Sequence, residues 1–440
     1  MTMRPRDDKD RGDRKVRAPQ RSIRGGPRAP APPRTARETT SAPDEGRRRS
    51  LSALQPPTQQ SGDQAVAEVL FEALVLASED DADTLTHGFH SYPARLHPSI
   101  ASLLIDRFAD PSSRIVDPFC GSGTVLIEAR RRGLPSWGVD LNPVALRVAE
   151  VKAEVRTPAS LALFAGALEE VVERSKERVR DKAESRAPLT KEQADRFEHH
   201  VLRELGGLWK EIGGVNDEAD RRAMFVVLSA ILVKVSKQRA DTDVRDRGAA
   251  PTAQGRRMGR FIPTEIFHKK GKELIERWES LAFAAKDGPA PRLSLDDARS
   301  LPRILTKPAT LIVTSPPYAG TYDYAEHHAL RAPWLGVTLE GIQRGEIGAR
   351  RSLVAAGAAA RWDEQVLEVL RALGGALDAK GLAVLIVGDG QLGGTRVPAE
   401  EQLARLAPAA KLRVIATASA PRLDWRGGAD RREHLVALAH

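Results

Sequence analysis

The chain of 440 residues has a single cysteine, Cys120, and so no disulfide framework. That fits a reducing compartment. Long hydrophobic runs are missing too. The longest mostly apolar stretch, Ala223 to Val233, falls short of the roughly 20 residues that a membrane span requires. The opening residues, Met1-Thr2-Met3-Arg4-Pro5-Arg6-Asp7, have no apolar core of the kind a signal peptide carries. Together these absences predict a soluble, cytoplasmic protein with no membrane partner. No Gly-Lys-Ser/Thr is present in the chain's glycine loop, which excludes a triphosphate-binding loop of that type. His87, His90 and His97 fall within eleven residues, but no cysteine or acid lies among them and the spacing matches no zinc pattern. A rigid loop leading into a helix is expected there, and no metal site.

Charge is present in excess but unevenly placed. The formal net charge is +9 and the pI about 9.7, which suggests an anionic partner. From Met1 to Gly62, 15 Arg and Lys stand against 7 Asp and Glu, a net of +8. The rest of the chain is therefore nearly neutral. Residues 1–62 are rich in Arg, Pro, Ser and Gly and poor in aromatic and β-branched residues, so they cannot bury enough apolar surface to offset the entropy of ordering. They read as a disordered basic tail, either an arm that grips phosphate non-specifically or a dispensable extension.

Beyond the tail the chain alternates strand and helix patterns. An amphipathic helix covers Ala65 to Leu76, and another covers Ser99–Phe108. A strand ending at Asp117 runs into Pro118-Phe119-Cys120-Gly121-Ser122-Gly123-Thr124 and then the helix Val125–Arg132. Glycines there allow the backbone to approach a ligand closely, and the helix N-terminus offers unpaired N–H groups. A second strand, Ser136–Asp140, places Asp140 about twenty residues after the glycine turn, where an acid can take both hydroxyls of a ribose. From Thr157 to about Asp287 the alternation stops. Helical segments Leu168–Ala183 and Gln193–Ile212 appear, followed by a basic stretch. Between Arg239 and Lys272 nine Arg and Lys face four acids, and Arg256, Arg257 and Arg260 cluster beside Phe261 and Phe267. An inserted helical domain accounts for this, its basic stretch being either a nucleic-acid reader or a solvated face. The α/β pattern resumes at Arg292–Arg299. A helix Trp362–Leu377, a strand Leu382–Val387, a helix Ala399–Leu406, and strands Leu412–Ala416 and His434–Leu438 complete it. Domain boundaries follow: 1–62, 63–156, 157–287 and 288–440.

The stretch that organises the chain is Leu311-Ile312-Val313-Thr314-Ser315-Pro316-Pro317-Tyr318. A buried strand delivers a rigid turn at its carboxyl end. Each proline fixes its own φ and removes a backbone donor, so carbonyls project without competing N–H groups. Ser315 adds a hydroxyl, and Tyr318 a flat face on which a planar ring could stack.

Asp117–Thr124, Gly138-Val139-Asp140-Leu141-Asn142-Pro143 and Thr314–Tyr318 together resemble the donor and catalytic motifs of S-adenosylmethionine-dependent amino methyltransferases that act on nucleic-acid bases. The resemblance covers roughly residues 86–156 and 290–440. It implies a Rossmann-like class I methyltransferase sheet with helices on both faces, interrupted by the helical insertion. It implies S-adenosylmethionine as cofactor. The region from Tyr92 and Pro93 to Pro98 would line the methionine end. Asp117, Pro118, Phe119, Gly121, Gly123 and Thr124 would hold the amino-acid part. Asp140 would take the ribose, and Asp297, with Asp296 as the alternative, the adenine. The catalytic turn would be Ser315, Pro316, Pro317 and Tyr318. Asp323-Tyr324 with His328-Ala329-Leu330 further resembles a subgroup of bacterial DNA methylases. His328 is thereby a candidate nucleic-acid contact beside Arg256, Arg257 and Arg260, with ordinary loop packing as the other reading.

An exocyclic amino group is a poor nucleophile because its lone pair is delocalised into the ring. Hydrogen bonds from it to Ser315 and a proline-turn carbonyl would favour a pyramidal nitrogen facing the methyl sulfonium, with the rest coming from in-line positioning. The base would have to leave its helix. Methylation at cytosine C5 would need a cysteine nucleophile, and Cys120 lies in the donor loop instead. By the resemblance, Ser-Pro-Pro-Tyr goes more often with cytosine N4 than with adenine N6. The expected partner is double-stranded DNA, with a cognate restriction endonuclease as a further implication. A tRNA guanine-N2 methyltransferase, whose glycine motif is similar, is the alternative, and RNA its substrate.

Overall fold

The computed structural model describes residues 55–93, 95–237, 258–320, 323–349, 353, 357–392, 395–422 and 431–440. In chain order the first elements are β1 (Gln59–Gly62), α1 (Gln64–Glu79), α2 (Pro98–Phe108), β2 (Ile115–Asp117), α3 (Thr124–Arg131), β3 (Ser136–Asp140) and α4 (Pro143–Ala153). A helical run follows, with α5 (Pro158–Arg180), α6 (Lys191–Ala194), α7 (His199–Gly213), α8 (Glu218–Val235) and α9 (Ile262–Ala284). Next come β4 (Arg292–Leu295), α10 (Leu301–Ile304), β5 (Ala309–Thr314), α11 (Tyr324–His328), α12 (Glu340–Gly345) and α13 (Ala358–Ala376). The last are β6 (Leu377–Gly388), β7 (Gly390–Leu392), β8 (Thr395–Val397), α14 (Ala399–Leu406), β9 (Arg413–Arg422) and β10 (Arg431–Ala439).

Eight strands form one sheet in the order β1-β9-β10-β6-β5-β2-β3-β4. β4, β3, β2, β5 and β6 are parallel neighbours, whereas β10 is antiparallel to both β6 and β9. The side chains alternate between the two faces with period two. Ile115, Leu311, Val313, Val384, Ile386 and Leu435 join the core made with α1, α2 and α3. Val116, Ile312, Leu385 and Val436 join the core made with α13 and α14. Burying a large aliphatic chain contributes about 1.5–3 kcal/mol, so strands apolar on both faces are secure only between two helical layers. This is the expected Rossmann-like α/β architecture. The strand order turns back between β2 and β5, and in open α/β sheets such a reversal opens a crevice beyond the carboxyl ends of the strands.

The helices from α5 to α9 build a third core around Phe164, Leu205, Leu232, Phe267 and Trp278, shared with Val148 and Val151 of α4. Trp278 is fully buried and its Nε1–H donates to the Val151 carbonyl at 2.8 Å. Arg156 is buried between the rings of Phe164 and Trp278 (5.2 and 4.2 Å to the ring centres) and pairs with Asp220 and with Glu154.

One boundary needs correction. Gln59–Gly62, placed by composition in the disordered tail, are an edge strand antiparallel to β9 (Gln59↔Ser419 to Gly62↔Ala416). All four residues are exposed, so nothing in their hydropathy marks them; backbone pairing alone makes them a strand. Residues 1–54 lie outside the described residues.

His434 of β10 ties the sheet's far side together. Its Nδ1 lies 2.7 Å from the Ser419 hydroxyl of β9 and 3.3 Å from Glu400 of α14, and its Nε2 lies 3.2 Å from Asp389. Asp389 also accepts from the backbone N–H groups of Ala399 and Arg432. Burial lowers the imidazole's pKa, but hydrogen bonds and charge attraction from Asp389 and Glu400 outweigh it and raise the net value. Both carboxylates are held below their ordinary values. A raised histidine contributes stability in full below its unfolded pKa of about 6.5 and loses it as pH rises through the folded value. The melting temperature of the wild type should therefore fall relative to that of His434→Gln as the medium is taken from neutral to alkaline. Parallel melting curves across that range would sink the assignment.

Candidate active site

β2 ends at Asp117, whose carboxylate turns back to accept from the Phe119 N–H at 3.1 Å and from the Thr314 hydroxyl at 2.7 Å. Thr314 is the last residue of β5, so this bond crosses the point where the strand order reverses. The loop that follows is held by its own backbone. The Cys120 N–H reaches the Val139 carbonyl at 3.0 Å, and the Gly123 N–H reaches the Cys120 carbonyl at 2.7 Å. Gly121 and Gly123 have φ of +48° and +86°, in the left-handed region that glycine tolerates. At Gly123 glycine is doubly required, because an added Cβ would lie 2.9 Å from that of Ala149. Gly123 is also the N-cap of α3, and no side chain caps that helix.

Asp140, at the end of β3, accepts from the Gly121 N–H and the Asn142 N–H, each at 2.8 Å. Asn142 in turn caps α4 by accepting from Val144 at 3.0 Å. Burial pushes the Asp117 carboxyl up to about 7 and that of Asp140 up to about 6, only partly offset by these donors. Neither acid is in an ion pair among the described residues. Asp140, a buried carboxyl held only by N–H groups, is well suited to accept from ligand hydroxyls.

The carboxyl ends of β2, β3, β4 and β5 converge on one pocket. Asp117, Gly121, Asp140, Asp297, Ser315 and Pro317 all line it. Tyr92, Arg95 and Leu96 form one side, and Tyr324 with Ile342 and Ile347 another. The Tyr92 ring stacks on His328 (centroids 5.1 Å apart, planes at 27°) and lies against Gly121, where an added Cβ would meet it at 3.0 Å. Arg95 is held by Asp83 at 2.9 Å and by the Ala82 and His87 carbonyls.

Most of the residues singled out by sequence meet here: Tyr92, Asp117, Pro118, Phe119, Gly121, Thr124, Asp140, Asp297, Ser315 and Pro317. Pro93 and Gly123 are not on the wall, although Gly123 shapes it. Of the two candidate acids after β4, Asp297 lines the pocket and Asp296 does not. Asp297 is already bonded to Arg299 through both oxygens, at 2.9 and 2.6 Å. Pro316 and Tyr318 face a second, apolar pocket with Trp362 and Leu385.

Two expectations change. Tyr318 does not present an open stacking face in this arrangement. Its ring lies against Gly388 with Arg422 above it at 5.5 Å, and its hydroxyl donates to buried Glu433 at 2.5 Å. His328 is fully buried beneath Tyr92, out of reach of a nucleic acid. Arg260 is exposed but donates to the Val179 carbonyl at 2.5 Å and lies over Phe261; Arg256 and Arg257 lie outside the described residues. The neighbouring histidines have structural partners. His87 pairs with Glu128 at 2.9 Å, His90 with Ser229 at 2.9 Å, and His97 caps α2. Sequence reading missed Asn142 as a wall residue, although an Asn-Pro opening a helix marks it as a cap. It named Tyr324 in a motif without placing it in the pocket, and it missed the Ile342–Ile347 stretch, which has no motif.

Fold and pocket define a Rossmann-like α/β domain with a crevice where the strand order reverses. A family model described as an RMKL-like methyltransferase domain, UPF0020, matches residues 89–179, the window containing the glycine loop and Asp140. The chain is similar to the Type II methyltransferase M.MjaII of Methanocaldococcus jannaschii, with 35% identity over 80 residues, 18% of this chain and 15% of that protein. It is similar over a longer span to the Type II methyltransferase M.BsoBI of Geobacillus stearothermophilus, with 22% identity over 300 residues, 62% of this chain and 57% of that protein. The chain thus spans less than two thirds of the length of either relative. Among solved structures it is similar to the rRNA methyltransferase AviRa from Streptomyces viridochromogenes, with 14% identity and a TM-score of 0.32, covering 79% of this chain and 88% of that one.

Two outcomes follow from the loop geometry. Gly123→Ala forces a side chain into a left-handed position, at a cost of about 1–2 kcal/mol before any clash, and should lower the melting temperature and spoil the pocket together. The Asp117 carboxyl, raised to about 7 by burial, favours folding below its unfolded value of about 3.9 and loses that contribution as pH rises through the folded value. Asp117→Asn should therefore gain melting temperature relative to the wild type across that window; a constant difference between the two would refute the assignment.

Proposed function

We propose that the pocket holds S-adenosylmethionine and that the chain transfers its methyl group to the exocyclic amino group of a base swung out of double-stranded DNA, cytosine N4 foremost. The observation that carries the reading is that Ser315 and Pro317 share one pocket with Asp117, Gly121, Asp140 and Asp297. The turn matched to base chemistry and the loop matched to the donor therefore meet at the reversal point of the sheet. In this reading Asp140 takes the ribose hydroxyls, the glycine loop and the N-terminus of α3 the amino-acid part, and Asp297 the adenine. Ser315 accepts from the amino group and turns its lone pair toward the methyl carbon, so that an N–C bond forms in line as the C–S bond breaks and S-adenosylhomocysteine leaves, the amino group's extra proton passing to solvent. The donor supplies an electrophilic methyl group, and the chain supplies alignment and exclusion of water. For Tyr318 to stack on the base, its hydroxyl would have to leave Glu433.

DNA is favoured because M.MjaII and M.BsoBI are named as Type II methyltransferases, which also makes a cognate restriction endonuclease part of the reading. The helices from α5 to α9, with the basic segment 239–272, are the proposed target reader. Adenine N6 is the alternative base. Guanine N2 of tRNA is the alternative substrate, because the Asp117–Thr124 motif suits both families.

The test is transfer of labelled methyl from S-adenosylmethionine to unmethylated bacterial DNA and to bulk tRNA, followed by digestion and mass identification of the nucleosides. N4-methylcytosine in DNA is expected. Ser315→Ala should lower turnover by about 10²–10³, the usual effect of losing one hydrogen bond aimed at the reacting group, while donor affinity is kept. Asp140→Ala should lower donor affinity instead. N6-methyladenine would overturn the base, label confined to tRNA guanine the substrate, and absence of donor binding the whole reading.

A further inference from the structure

Lys152 is a fully buried residue near the end of α4. A lysine is rarely buried without a paired anion, because the ammonium loses its hydration. Here the only hydrogen bond of Nζ among the described residues is to the Ser122 hydroxyl, at 3.1 Å. The acid that acts on it is Asp83, but that carboxylate is bonded to Arg95 at 2.9 Å. The other charged or titratable groups around it are Arg95, Arg277, His87 and His90. Cations therefore outnumber acids, and burial with this crowding pushes the ammonium's pKa well down.

Ser122 lies between the two left-handed glycines, is 3% exposed and lines the pocket. The uncapped N-terminus of α3 begins two residues later. The pocket's own acids, Asp117 and Asp140, are bonded to N–H groups and to Thr314, not to this lysine. What the arrangement lacks is an anion that would justify the buried cation, and a hydroxyl can accept one hydrogen bond while donating another.

We propose that Lys152, acting through Ser122, is the positioning residue for the carboxylate of the donor's amino-acid group, the Ser122 hydroxyl donating to that carboxylate while it accepts from the ammonium. This rests on the pocket being the donor site. The incoming carboxylate would favour the ammonium form, so Lys152 holds its proton more readily with the donor bound than without it.

The experiment is calorimetric titration of the full chain with S-adenosylmethionine and with its decarboxylated analogue. Wild type, Lys152→Met and Ser122→Ala would each be titrated, in two buffers of different ionisation enthalpy. Both variants should weaken S-adenosylmethionine by about tenfold, the scale of one charge-assisted hydrogen bond, and leave the decarboxylated analogue unchanged. Proton uptake on binding should be larger in the wild type than in Lys152→Met, whose melting temperature should hold or rise because a buried, poorly paired amine has gone. Equal weakening of both ligands, or none, overturns the proposal while leaving the donor site standing. A wild type that binds neither ligand overturns the donor reading itself.

Discussion

The hydrogen bond from the Thr314 hydroxyl to the Asp117 carboxylate closes the seam on which this molecule is built. The β2–β5 ladder runs through Ile115↔Leu311 and Val116↔Ile312, and the side-chain bond carries the connection one step past it. Asp117 opens the glycine loop at the back of the pocket, and Thr314 immediately precedes Ser315 at its front. One buried carboxyl therefore sets the distance between the loop assigned to the donor and the turn assigned to the base. Its burial is unfavourable to the charge, which places this strain at the site, as buried polar groups at functional crevices often do.

The helical core and the glycine loop meet at α4. Its Asn142 cap follows Asp140, its Ala149 packs against Gly123, its Lys152 stands behind Ser122, and its Val148 and Val151 belong to the core of the helical run. A shift of the helices against the sheet would therefore be felt first at the glycine loop. A helix so divided has little freedom to adjust, because a close-packed interior does not absorb displacement gradually.

Much of the fold was readable because local pattern and tertiary role agree. The strands near Val116 and Ile312 are apolar on both faces, as a sheet covered by two layers requires. The helix Ala399–Leu406 begins and ends where its periodicity does. Elements were misjudged where pairing, not hydropathy, makes them. Gln59–Gly62 is a polar strand defined by its neighbour, and β6 begins at Leu377, through Asp378 and Lys380, ahead of its apolar run. The site was readable to the extent that its residues lie in contiguous motifs. The burial of Tyr318 was not, since its partner Glu433 lies 115 residues further on. Nor was that of Lys152, which reads locally as an ordinary solvated lysine near a helix end.

The helical run also has a consequence for the order of assembly. β3 pairs with β4 across more than one hundred and fifty residues (Trp137↔Arg292), and β2 pairs with β5 across a still longer stretch of chain. Contacts of such long range are slow to form, whereas helices joined by short loops, as α6, α7 and α8 are, gather quickly. On a ribosome, β2 and β3 would emerge and wait with unpaired edges while α5 to α9 folded beside them. Exposed parallel edges are where nascent sheets go astray. By burying Val148 and Val151 early, the helical run would hold α4, and with it the strand just before, in place until the second half of the sheet arrives. The same helices would then act as a scaffold for the nascent chain as well as a neighbour of the finished pocket.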